Sequence, residues 1–249
     1  DEHIVKLLKD KLDISSALAR VLSLRGVKNL NSAQKFFRPK WDSFHDGFLM
    51  KDMNKSVERI HSSINEKQKI LVYGDYDVDG TCSVAMISIF LKQYNSNVSL
   101  YQPDRENEGY GISLQSVAKM ISKKNDLVIA LDCGIKDIKS AKAINDAGID
   151  LIICDHHNPG NTIPQAYSIL NPKQKECKYP FKELCGCGVG FKLIQSYSKK
   201  YNVEIDYSYM IQLAAIATTA DVVPLVDENR VITYLGLEQI NQNPLASIK

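Results

Sequence analysis

Lys69-Ile70-Leu71-Val72-Tyr73-Gly74-Asp75-Tyr76-Asp77-Val78-Asp79-Gly80 is a short apolar run that stops at a glycine and then alternates carboxylates. The β-branched and aromatic residues of 70–73 predict a strand. Polar residues do not alternate with the apolar ones, so both faces of that strand are expected to be buried, as in a parallel sheet. From residue 80 to 94, Val84, Ile87 and Leu91 recur at helical spacing.

The same grammar repeats downstream. Val98–Tyr101 reads as a strand, followed by a Gly-rich loop, Glu108-Gly109-Tyr110-Gly111, and a helix over 113–123. Leu127–Leu131 reads as a strand, 135–147 as a helix and Asp150–Cys154 as a strand. Strands alternating with helices of about 10–15 residues imply right-handed βαβ units. Upstream, Ile4, Leu7, Leu8, Leu12, Leu18, Val21 and Leu22 predict helices within a region ending near residue 65. Residues 36–53 are irregular and aromatic, with Pro39, Trp41, Phe44 and Phe48. Helices return at 188–200, 207–219 and 229–241. The expected fold is α/β: a parallel sheet flanked by helices over 66–249, with a helical N-terminal region, 1–65, packing on it and a helical C-terminal part.

Of the 249 residues, 44% are hydrophobic and 24% charged, an ordinary globular balance. No apolar run approaches the roughly 18–20 residues that span a bilayer, so no membrane partner is expected; the chain is expected to be a monomer and, from its cysteines, cytoplasmic. A net charge of +2 neither demands nor forbids nucleic acid. The six cysteines fall largely inside apolar runs and read as reduced thiols. Cys177, Cys185 and Cys187 lack a nearby fourth ligand, so they are expected to be core or loop thiols rather than a zinc site.

Three predicted strands end in groups able to bind metal. The first runs into Asp75, Asp77 and Asp79, the second into Asp132, and the third into Asp155-His156-His157. In a parallel sheet these C-terminal ends share one edge, where open α/β sheets place ligands. Asp221, at the end of an apolar helix, can reach the same edge. Crowded carboxylates repel and do not all ionise unless cations intervene. Oxygen ligands with an imidazole suit Mn²⁺ or Mg²⁺, the imidazole favouring Mn²⁺. Two such ions about 3.5–4 Å apart are the usual clamp for in-line attack at phosphorus.

Other readings fit less of the chain. A lone Asp after a strand is most often a helix N-cap, the role expected of Asp137. The Asp75–Gly80 spacing matches the start of a calcium-binding EF-hand loop, but Met86 stands where the twelfth position needs Glu. A haloacid-dehalogenase-like phosphatase would use Asp77 as nucleophile, yet leaves Asp155-His156-His157 unexplained. A binding module would need no such cluster, and no Gly-Lys-Ser/Thr phosphate loop occurs.

Residues 72–80, Leu131-Asp132-Cys133-Gly134, Asp155-His156-His157 and residues 220–225, followed by Glu228-Asn229-Arg230, together resemble the ordered motifs of RecJ exonucleases in the DHH phosphoesterase superfamily. The resemblance implies that Asp77, Asp79, Asp132, His156 and Asp221 ligate two Mn²⁺ or Mg²⁺ ions, Asp132 bridging them. It implies catalytic places for Asp75, beside the metals, and for His157, on the scissile phosphate. It also implies 5′→3′ hydrolysis of single-stranded DNA in recombination and repair. Superfamily members that cleave short RNA or cyclic dinucleotides are the alternative. Arg105, Tyr110 and Lys173 are candidates for contact with the nucleic acid, and Tyr73 stands where many relatives carry His, with a bearing on phosphate contact. RecJ proteins continue into a second, DHHA1-type domain, which is expected to be absent from this chain.

Overall fold

The computed structural model describes every residue except Ser96. It divides into two compact units, Asp1–Phe44 and His45–Lys249. In the first, α1 (Glu2–Leu12), α2 (Ser16–Leu24) and α3 (Leu30–Phe37) surround a small core of Val5, Leu8, Ala19, Leu22, Val27 and Ala33. Each helix opens on a side-chain cap: Asp1 accepts from His3 N–H, Ser15 from Leu18 N–H, and Asn29 forms a reciprocal capping box with Ser32.

The second unit starts with α4 (Met53–Asn65) and continues through β1 (Ile70–Gly74), α5 (Val78–Lys92), β2 (Val98–Tyr101), α6 (Leu114–Ser122), β3 (Leu127–Leu131), α7 (Ile138–Asp146) and β4 (Asp150–Cys154). β5 (Ser168–Leu170), α8 (Gly186–Tyr201), α9 (Ser208–Ala220) and α10 (Asp227–Gln242) follow. The strands form one sheet of order β2-β1-β3-β4-β5, every pair parallel. The parallel sheet flanked by helices is the fold expected. α4 packs on α8 and β5, and its Arg59 pairs with Asp150 at 2.6 Å, so it belongs with the sheet although the hydrophobic pattern places a boundary near residue 65.

Nothing in the sequence announces β5. Its three residues are too few to signal a strand between prolines; neighbours hold it instead. β4 pairs along one side, and Asp52 Oδ2 accepts from Ile169 N–H at 3.1 Å. α7 begins at Ile138, not 135, because the chain first makes a turn at Gly134 (φ 109°), where Asp137 N–H donates to Gly134 O. α5 is buried nearly all round, since it lies against β1 on one side and α8 and α9 on the other. In α10, Gly236 lets α9 come close: a Cβ there would stand 2.3 Å from Ala215 Cβ.

Register positions the site. Gly74 is level with Leu131, and Leu131 with Cys154. The next residues, Asp75, Asp132 and Asp155, therefore lie side by side along the C-terminal edge. Chain order reverses between β1 and β3, the point where such sheets leave a crevice.

Candidate metal centre

The strand ends bring the predicted groups together. Among the described residues, three overlapping sets have ligand atoms within 4.8 Å of one another: Asp132, His156 and His157; Asp79, His156 and Asp221; Asp75, Asp77 and Asp132. Asp132 and His156 each belong to two sets. Among the described residues no set contains a cysteine, and all six cysteines are free thiols.

Each ligand is aimed by a different local device. Asp77 caps α5, its Oδ1 accepting from Gly80 N–H at 2.9 Å, and remains exposed. Asp79, two residues on, is buried and accepts from Gly186 N–H (2.6 Å) and Cys187 N–H (2.8 Å) at the start of α8. That helix N-terminus favours the charged carboxylate. Asp132 adopts φ 60°, a left-handed conformation that Asp tolerates better than most residues. Gly186 sits against it so closely that a Cβ would lie 2.7 Å from Asp132 Cβ. Asp221 ends α9 and brings its Oδ2 to 3.7 Å from His156 Nε2.

His156 Nε2 stands 3.1 Å from Asp132 Oδ1 and 3.8 Å from Asp79 Oδ2. Yet both ring nitrogens of His156, together with Asp132 Oδ1 and Asp75 Oδ2, are buried without a hydrogen-bond partner. Leaving one buried polar group unsatisfied costs about 1–3 kcal/mol, so four in one place is an expensive arrangement for protein alone. Ligand atoms of different residues that converge without bonding one another fit bound cations, each residue offering one atom. Electrostatics agree. Burial first, then neighbouring carboxylates, push Asp132 far above the carboxylate range, and burial raises Asp79 as well. Burial and Asp77 lift Asp75 to about 6, while burial and His157 lower His156 to about 4.

His157 is held differently. Its Nδ1 meets Asp155 Oδ1 at 2.7 Å, and this bond raises its pKa. Asp155 is itself saturated, accepting from the backbone N–H groups of Ile135, His156 and His157. Burial works against its ionisation, but the bond from His157 wins and its pKa falls. Tyr110 puts its hydroxyl 2.9 Å from His157 Nε2, the rings edge to face at 5.7 Å.

Not every candidate joins the cluster. Arg105 lies over the ring of Tyr76 at 5.4 Å, and Lys173 Nζ is 3.7 Å from Glu183 Oε2. Tyr73 is fully buried and donates to Gly111 O at 2.7 Å, so it faces the core and not the edge. Asp137 occupies the N-cap position of α7 but makes no capping bond; its carboxylate accepts from Ile112 N–H at 2.8 Å, a nearer claim from the glycine loop. Two functional roles escape the sequence reading. Asp155 is a positioning residue for His157, and Asn229 pins the loop bearing Asp221 by donating to Pro224 O (3.0 Å) and Glu183 O (2.5 Å). The adjacency of Asp155 to the two histidines is a signal for the first; Asn229 stands in the motif of residues 228–230, but its bonds to distant carbonyls appear only in the folded chain.

Residues 69–218 match the family described as DHH family, N-terminal domain. The single-stranded-DNA-specific exonuclease RecJ of Bacillus subtilis (strain 168) is 40% identical over all of this chain and 31% of its own length. A crystal structure of exonuclease RecJ bound to manganese superposes with TM-score 0.71 at 29% identity, covering 78% of this chain and 49% of that one. RecJ from Thermus thermophilus in complex with Mn²⁺ has the same fold over the whole chain, TM-score 0.83, at 22% identity and 35% of its length. The chain thus spans less than half the length of the curated relatives it matches. The dehalogenase-like alternative is not favoured: Asp77 is one member of a shared cluster, and the triplet it leaves unexplained is part of that cluster. Nor do the relatives favour the short-RNA or cyclic-dinucleotide alternative.

Proposed function

This chain belongs to the DHH family, and from that premise we propose that it is the catalytic portion of a metal-dependent 5′→3′ exonuclease acting on single-stranded DNA in recombination and repair. The observation that carries the reading is the convergence of Asp75, Asp132 and His156, each with a buried ligand atom lacking a hydrogen-bond partner, with Asp77, Asp79 and Asp221 on one sheet edge. Asp77, Asp79, Asp132, His156 and Asp221 would hold two Mn²⁺ or Mg²⁺ ions, Asp132 lying between the two groups. When bound, such a pair supplies Lewis-acid polarisation of a phosphoryl oxygen and an activated water. The 29% identical relative solved with manganese supports that choice of ion.

The chain's own residues orient the substrate. Asp155 holds the His157 ring by its Nδ1 and favours its charged form, with Nε2 turned toward Tyr110, which suits an approach to a scissile phosphate. Asp75, buried behind the cluster, keeps one oxygen for it. Arg105, Tyr110 and Lys173 are proposed partners for the strand beyond the scissile bond.

Incubation of the protein with Mn²⁺ and a 5′-labelled single-stranded oligonucleotide should release labelled mononucleotide. Asp132→Ala and His156→Ala should abolish the release while the fold, read by circular dichroism, persists. Full activity in either variant would remove the metal assignment.

A further inference from the structure

Residues 14–41 contain six cations, Arg20, Arg25, Lys28, Lys35, Arg38 and Lys40, and no acid. The unit Asp1–Phe44 carries nine Lys and Arg against five Asp and Glu, whereas residues 45–249 hold the remaining 22 against 24. The excess positive charge of the protein therefore belongs to the small unit, not to the unit that carries the acidic edge. Arg20 pairs with Glu2 at 2.7 Å. Among the described residues, none of the other five commits its side chain to an ion pair or a hydrogen bond.

Three of them line a groove. A cavity of about 710 Å³ opens between the ends of α1 and α3 and the turn at Trp41–Ser43. Leu12, Ile14 and Phe37 form its apolar wall, and Lys35, Arg38 and Lys40 its charged side; Asp42 is the one acid on the lining. Lys35, in the last turn of α3, has a structural use in opposing the helix dipole. Arg38, at the C-cap, can share that use, whereas Lys40 lies past the helix end. Phe37 is 44% exposed and lies between Lys35 and Arg38 in sequence, so its ring is available on the charged side of the groove.

We propose that this groove binds a single-stranded nucleic acid, with Lys35, Arg38 and Lys40 on successive phosphates and Phe37 as a stacking surface for a base. Unpaired bases present the faces that an exposed aromatic ring accepts, and a duplex hides them. A concave groove also suits a strand better than a flat lipid surface. The site shares no residue with the metal centre, so it stands or falls independently of what that centre hydrolyses.

The test is fluorescence anisotropy of a labelled 20-nucleotide oligo(dT) with the 249-residue chain in EDTA, across a salt series. Each phosphate neutralised on a single strand contributes about 0.7 to the slope of log K against log salt, so the Lys35→Gln, Arg38→Gln, Lys40→Gln variant should show a slope smaller by about 2. Phe37→Ala should weaken binding at fixed salt by about fivefold or more. Lys123→Gln with Lys124→Gln, at the far end of α6, should change neither. Urea midpoints equal to the parent protein's will show that the exposed substitutions leave the fold intact. An unchanged slope in the triple variant overturns the proposal. So does a loss confined to phosphatidylserine vesicles or polyglutamate, with oligonucleotide binding retained.

Discussion

Asp155 accepts four hydrogen bonds on two oxygens, one of them from His157 Nδ1, and so cannot also serve as a free ligand. Its work is to fix the ring beside it. Asp155→Asn removes the charge that favours the imidazolium, so the raised pKa of His157 should fall, as an NMR titration of the ring would register. Because the same carboxylate anchors the backbone of His156, Mn²⁺ affinity should drop about tenfold or more, the usual loss when a partner behind a ligand is removed. An unmoved His157 titration would contradict this division of labour. At this scale the sequence is informative about residue type: acids and imidazoles directly after buried strands stand out. It is uninformative about which atom does what. Asp155 and Asp132 both follow apolar strands, and only the surrounding N–H groups separate a saturated carboxylate from one with an orphaned oxygen.

Between elements, the buried pair of Lys192 and Glu228, 3.1 Å apart, ties α8 to α10. Glu228 also accepts from Tyr179 O–H (2.5 Å) and His45 N–H (2.9 Å), while Lys192 Nζ donates to His45 O (2.7 Å). Lys192→Met would strand a buried carboxylate, and removing one partner of such a pair costs about 3–5 kcal/mol. Urea denaturation should show a lower midpoint at an unchanged slope. A double change of Lys192 to Met and Glu228 to Leu should cost less than the single one, since no charge is left unpaired. Helix and strand identities are legible from periodicity. β5 is not, because it depends on pairing with β4 and on a hydrogen bond to Asp52, distant in sequence, and the true start of α7 is hidden by the turn at Gly134.

For the whole molecule, ligands drawn from the start of α5, the C-cap of α9 and the segments that follow β1, β3 and β4 mean that a bound cation joins parts spread across most of the sheet unit. Such binding stabilises the native state by mass action, about 2.7 kcal/mol at a hundredfold excess over Kd. Mn²⁺ should therefore raise Tm by several degrees, EDTA should reverse it, and Asp132→Asn should abolish the response; a Tm indifferent to Mn²⁺ would count against a site so distributed. Among the described residues no helix is long and apolar enough to cross a membrane. By itself the sequence determined the α/β class, the parallel strands and the inventory of metal-competent groups. Those follow from local hydrophobic pattern and from the rule that parallel strands end on a common edge. Tertiary structure alone decided the register that sets Asp75, Asp132 and Asp155 abreast, the approach of α8 that aims Asp79, and the seating of Asp221 beside His156. These are distances between segments far apart in the chain, and no local preference of the backbone encodes them.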